Sequence, residues 1–178
     1  MDFFDVALER FSYRGMYLPT PVPRDNLRKI MEVGLAAPSG CNKQTTSLIG
    51  IDDESLIKSL GTLLNKPHFA SAPAAICVLT QPIIAYGNSR FNVQDYSAAI
   101  QNMLLAITAL GYASCWVEGY ITDATDVGSR MADLLHVPDK YQLVAYLPVG
   151  IPAQSAKRVE RKAFEQRASF NGFEDTIC

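Results

Sequence analysis

Two stretches near the front of the chain decide its reading: Arg10-Phe11-Ser12-Tyr13-Arg14 and Ala37-Pro38-Ser39-Gly40-Cys41-Asn42-Lys43-Gln44. The first sets two permanent positive charges and a hydroxyl side by side, directly after an apolar, helix-like segment. The second is a polar turn between a helix pattern and a strand pattern. A guanidinium grips an oxyanion with two parallel hydrogen bonds. Glycine lets backbone come close to a flat ligand. Together the stretches suit a cofactor that is flat at one end and phosphorylated at the other. The plainer alternatives are two solvated arginines at a helix end and a simple helix-terminating turn.

Composition narrows the classes. The chain has 178 residues, 48% hydrophobic and 19% charged, with a formal net charge of −2. That length favours one domain with a sizeable core. The mild acidity, pI near 5.7, argues against general binding to nucleic acid or an anionic membrane. No run approaches the roughly 18 apolar residues of a membrane span. The N-terminus, MDFFDVALER, has early acids and no basic region, so it does not read as a secretory signal. The cytoplasm is the expected location. Cysteines stand at 41, 77, 115 and 178 without a Cys-x-x-Cys pair, and the histidines are His68 and His136. That set predicts no metal site. Cys77 and Cys115 lie in apolar runs and read as small buried hydrophobes, whereas Cys41 lies in the polar turn.

Periodicity sets out the elements. Asp2 to Arg10 reads as a short helix. Leu27, Ile30, Met31, Gly34 and Leu35 follow helical spacing, and Pro38 ends that pattern. Thr46 to Ile51 reads as a strand. Asp53 is placed to cap a helix carrying Leu56, Ile57, Leu60, Leu63 and Leu64. Pro73 to Thr80 reads as a buried strand. The strongest helix runs from about Val93 to Leu110, apolar nearly all round, and Gly111 stops it. Ala113 to Val117 and Gln142 to Val149 read as strands, with a helix over Asp123 to Leu135 between them. From Gly150 the chain loses regular period. The alternation alone suggests a doubly wound parallel sheet. However, no Gly-x-Gly-x-x-Gly follows any strand, so the usual dinucleotide fingerprint is missing.

Further stretches complete the pattern. They are Asp95-Tyr96-Ser97-Ala98-Ala99-Ile100-Gln101-Asn102-Met103-Leu104-Leu105-Ala106, then Leu110-Gly111-Tyr112-x-Ser114-Cys115-Trp116, then Leu147-x-x-Gly150-x-Pro152-Ala153 and Arg161-Lys162. With Arg10-x-Ser12-x-Arg14 and Ala37 to Gln44, these resemble, in order, the motifs of the FMN-dependent nitroreductase-like family. The likeness covers nearly the whole chain.

The resemblance implies an α+β sandwich, with a mostly antiparallel mixed sheet flanked by helices, in an intertwined homodimer. It implies one FMN-binding domain over 1–178, with the tail 151–178 embracing the partner subunit and the long helix at the dimer core. FMN would sit at the subunit interface, touched by both chains. Arg10, Ser12 and Arg14 would hold its phosphate, ribityl chain and pyrimidine edge. Pro38, Ser39 and Gly40 would pack on the ring, with Asn42 and Gln44 offering amides. Asn65 would reach the ribityl chain. Trp116 to Gly119 lies where the family aims backbone N–H groups at the flavin, which brings in Glu118 and Gly119. Arg158 and Arg161 would add phosphate contacts. Val159 and Ala163 depart from the family pattern, which has a basic residue and a proline there.

The implied function is an FMN-dependent oxidoreductase. It would take hydride from NAD(P)H and pass it to a small electron-poor acceptor, a nitroaromatic or a quinone, in a ping-pong cycle. No acid–base side chain is needed for that, and no catalytic residue is singled out. Two other classes stay open. One is a flavin-binding or regulatory dimer without steady NAD(P)H turnover. The other is a reduced-flavin enzyme of different chemistry, such as dehalogenation or flavin fragmentation.

Overall fold

The computed structural model describes residues 2–122, 126–156 and 159–173. Its helices are α1 (Phe3–Glu9), α2 (Arg24–Leu35), α3 (Glu54–Leu63), α4 (Pro67–Ala70), α5 (Asn92–Ala109), α6 (Gly119–Thr122) and α7 (Val127–Leu134). Its strands are β1 (Thr46–Ile51), β2 (Ala74–Thr80) and β3 (Gln142–Val149). The strands form one sheet in the order β1-β2-β3, and both pairings are antiparallel.

β2 is the middle of everything. All of its residues are buried. Side chains alternate along a strand, so Ala74, Ile76 and Val78 face one way and Ala75, Cys77 and Leu79 the other. The first set packs with Leu27 and Ile30 of α2 and with Tyr96, Ile100, Met103, Leu104 and Ile107 of α5. The second packs with Ile57 and Leu60 of α3, Phe69 of α4 and Val127 and Met131 of α7. The sheet is thus a layer between two helical layers, each closing its own apolar cluster. Burial pushes the Cys77 thiol up to about 12 and the Cys115 thiol to about 11, as befits cysteines used as packing atoms.

Local rules set the ends of the elements. The Asp53 carboxylate accepts the Leu56 N–H at 2.9 Å, capping α3 as expected. Gly111, at φ 81°, takes the left-handed turn that ends α5.

Two readings taken from the pattern alone need correction. The sheet is antiparallel, as the family resemblance implies and against the alternation taken alone, because β1, β2 and β3 are successive neighbours that reverse direction. Residues 113–117 do not form a strand. They make only isolated bridges, Ala113 to Gly150, Val117 to Tyr146 and a parallel one between Ser12 and Ser114. The bridges at 113 and 117 lie in one antiparallel register along 146–150, but Pro148, midway, has no N–H to donate, so no continuous ladder forms. α1 forms where the short helix was expected, with Phe3, Phe4 and Leu8 outward and Val6 alone buried. Of the helix expected over Asp123 to Leu135, residues 123–125 lie outside the described residues, and α7 begins at Val127.

Ile100 is fully buried where α5 meets the sheet. Ile100→Ala is expected to cost about 2–5 kcal/mol of stability. Urea unfolding should show a lower midpoint at unchanged slope.

Candidate functional site

The first motif gains its shape from strand alternation. After α1 ends at Arg10, the chain runs extended, and the Tyr13 N–H bonds to the Ser114 carbonyl at 2.9 Å. Tyr13 turns inward and is buried, its hydroxyl donating to the Met16 carbonyl at 2.6 Å. Its neighbours Ser12 and Arg14 therefore point outward. With Arg10 they line a cleft of about 520 Å3, completed by Leu8, Phe11, Val159, Glu160 and Arg161. Arg161 comes from the far end of the chain and donates to the Arg10 carbonyl at 3.0 Å.

The cleft is electropositive. Its lining holds three arginines and one carboxylate, Glu160. Burial, then the charge of Arg161, lower the pKa of Arg10. The ion pairs seen among the described residues, such as Arg24–Asp52 and Lys58–Glu54, lie elsewhere. Crowded guanidiniums around an open cleft are what an oxyanion such as a phosphate neutralises. The field of Arg14 also reaches His68 and Cys115. His68 is held below its ordinary value by burial first, then by Lys66 and Arg14.

The second motif forms a turn that is tightly held. Residues Gly40–Asn42 make one turn of 3-10 helix. The Gly40 N–H donates to Oδ1 of Asp95 at 2.8 Å, and the Thr45 hydroxyl donates to Oδ2 at 2.7 Å. The Gln44 N–H donates to the Ser39 hydroxyl at 2.9 Å, and its side-chain amide to Oδ1 of Asn42 at 3.3 Å. Cys41, Asn42 and Gln44 all have left-handed backbones, with φ near 50°. Such residues cost about 1 kcal/mol or more each and gather at functional sites. Pro38, Asn42 and Gln44 are exposed and Ser39 is half-buried. Gly40 has a reason that the sequence did not disclose. A Cβ there would stand 2.6 Å from the Phe91 ring, so packing inside the chain already requires glycine. The arginine cleft contains no residue of this turn.

The remaining candidates scatter. Trp116 packs against the core on the α2–α5 side, and its indole N–H is buried without a partner. The Glu118 carboxylate accepts the Tyr96 hydroxyl at 2.6 Å. The Glu118 carbonyl accepts the Ile121 N–H at 2.6 Å, starting α6, where Gly119 is exposed. Asn65 is exposed and left-handed at φ 51°, and its N–H closes the end of α3 on the Thr62 carbonyl. That makes it a helix cap in this chain. Arg158 lies outside the described residues. His136 is exposed in a left-handed turn after α7. Among the described residues no group of His, Cys, Asp or Glu could hold a metal ion, and no helix is long and apolar enough to cross a membrane.

Two residues that matter were given no role from sequence: Asp95 and Tyr96, in the first turns of α5. A legible signal existed for one of them. A carboxylate early in an otherwise apolar helix is placed to complement the helix dipole and nearby N–H groups.

Comparisons with known proteins agree with this architecture. A family model described as the nitroreductase family matches residues 7–64 and 56–151. An Archaeoglobus fulgidus protein, named provisionally as an NADH dehydrogenase/NAD(P)H nitroreductase, is 27% identical over 157 residues, covering 88% of this chain and 86% of that one. A crystal structure from Parabacteroides distasonis with the same provisional name superposes with a TM-score of 0.81 at 26% identity, covering 96% and 98% of the two chains. An FMN-dependent nitroreductase from Clostridium difficile shares the fold, with a TM-score of 0.80 at 24% identity and coverage of 96% and 99%. B. megaterium NfrA2 also shares it, at 0.82 and 16% identity, with 99% of this chain spanning 77% of that one. The chain belongs to the nitroreductase family, and with it to the oxidoreductases.

Proposed function

We propose that the chain is an FMN-dependent oxidoreductase that passes hydride from NAD(P)H to an electron-poor acceptor, a nitroaromatic or a quinone, in a ping-pong cycle. The observation that carries this reading is the convergence of Arg10, Ser12, Arg14 and Arg161 on one cleft. When bound, FMN supplies the hydride chemistry; the protein supplies binding, orientation and electrostatics. Arg10, Ser12 and Arg161 hold the phosphate, joined by Arg158, three positions before Arg161 in sequence. Arg14, whose field extends to His68 and Cys115, serves the ribityl and pyrimidine side, where positive charge favours electron uptake. Asn65, which is not among the residues lining the cleft, would add a ribityl contact. Glu118 and Gly119 offer backbone to the ring. Relatives named for NAD(P)H support the reductant.

Two copies build each site in this proposal. The turn from Pro38 to Gln44, outside the arginine cleft of its own chain, meets the partner's flavin. An apolar groove of about 640 Å3 runs between α1, α2 and α5, bounded by Phe3, Val33, Leu105 and Leu110 among others. The tail carries Phe170 and Phe173 at 80% and 82% exposure. Contiguous apolar surface of this kind marks an interaction face. Residues 1–178 act as one domain, and 151–178 wrap the partner.

One observation favours a second reading, a flavin-binding dimer without steady turnover. Between β2 and α5, residues 81–91 form only a turn bridged from Tyr86 to Ser89. No helix forms in that stretch.

Purified protein should be yellow, and anaerobic NADH or NADPH should bleach the flavin band within seconds. Persistent colour supports the second reading, and protein that takes up no FMN contradicts both. Arg14→Ala should weaken FMN roughly 10- to 100-fold, a charged hydrogen bond's worth of about 1.4–3 kcal/mol. Fluorescence titration measures it, and unchanged affinity would remove Arg14 from the site.

A further inference from the structure

The first turns of α5 carry two adjacent residues whose polar atoms reach away from the core in different directions. Asp95 and Tyr96 are each only 4% exposed. Asp95 engages the turn of the second motif with both oxygens: Oδ1 takes the Gly40 N–H and Oδ2 the Thr45 hydroxyl. Thr45 is itself buried, and its carbonyl accepts the Gln81 N–H at 3.0 Å. Tyr96 engages the other candidate segment, its hydroxyl donating to the Glu118 carboxylate just ahead of α6.

Neither polar atom is needed to fill the core. The Tyr96 ring already packs with Ile100 and Val144, and a phenyl group would do the same. A buried carboxylate is costly unless fully hydrogen-bonded, yet Asp95 sits in a helix that is otherwise buried by apolar residues. Its position near the N-terminus of α5 offsets part of that cost. Successive helix residues point about 100° apart around the axis. One rigid element therefore grips both segments at a set spacing. The turn it holds contains three left-handed non-glycine residues, which persist only where the surroundings over-determine them.

We infer that Asp95 and Tyr96 are positioning residues that fix the 38–44 turn and the 117–122 segment for cofactor binding without touching the cofactor themselves. The inference rests on the flavin reading for its functional part only. In the proposed dimer the two segments serve different FMN molecules, so the pair also ties one site to the other.

The test uses full-length Tyr96→Phe, Asp95→Asn and Asp95→Ala, with two readouts. The first is amide hydrogen exchange on the FMN-free protein. Tyr96→Phe should speed exchange in 117–122 and leave 38–44 unchanged, and Asp95→Asn should do the reverse. The second is FMN affinity with the visible spectrum. Each variant should bind about five- to tenfold more weakly, with a changed flavin band shape and with Asp95→Asn retaining more affinity than Asp95→Ala. Uniformly faster exchange across the chain, or parental affinity in Tyr96→Phe and Asp95→Asn, would overturn the inference. Should Asp95→Ala fail to fold, the two conservative variants still decide the matter. Parental protein unable to bind FMN would sink the flavin reading, whereas the exchange pattern would still judge the clamp.

Discussion

The strand β2 has no face toward water, and the rest of the molecule follows from that. Ala74 to Thr80 must be covered on both sides, so one helical layer of α2 and α5 and another of α3, α4 and α7 close over it. At roughly 25 cal/mol per Å2 of apolar surface removed from water, this double burial is the main source of cohesion. It also sets where the chain can emerge. The turn at 38–44 and the Glu118 corner leave elements of those layers, and residues 10–14 are tied to residue 114 by the Tyr13 N–H.

The arginine cleft is built across that frame. Arg10 and Arg161 are 151 positions apart in sequence, yet Arg161 bonds to the Arg10 carbonyl. Two guanidiniums sharing a confined space repel one another, and burial adds to the strain on Arg10. An anion in the cleft would relieve that repulsion. Electrostatics of this kind gives a phosphorylated ligand both orientation and affinity, while the chemistry is left to the cofactor.

Much of the fold was legible in the sequence, and the gaps have physical causes. The apolar run from about Val93 to Leu110 marks α5, and Asp53 marks the start of α3. The direction of β2 was not legible, because an apolar run buried on both faces looks the same in a parallel or an antiparallel sheet. Residues 113–117 have strand-like composition and run antiparallel to 146–150, but bridge that run only at its two ends, which no local window shows. Outward Phe3 and Phe4 in α1 follow apolar spacing without being core in this chain. In the site, Arg10, Ser12, Arg14 and Arg161 were identified by resemblance and meet in one cleft. The roles of Asp95 and Tyr96 depend on partners 55 and 22 positions away. Gly40 is glycine because of Phe91, a contact equally invisible in sequence.

The central claim is that the arginines of this cleft exist to hold the phosphate end of a flavin. Comparing FMN with riboflavin, which lacks that phosphate, on the protein and on Arg10→Ala and Arg161→Ala tests it most directly. The account predicts that the protein binds FMN at least about 100-fold more tightly, as two charged hydrogen bonds would give, and that each variant narrows the gap by weakening FMN alone. Equal affinity for the two flavins, or an undiminished gap in the variants, would contradict it.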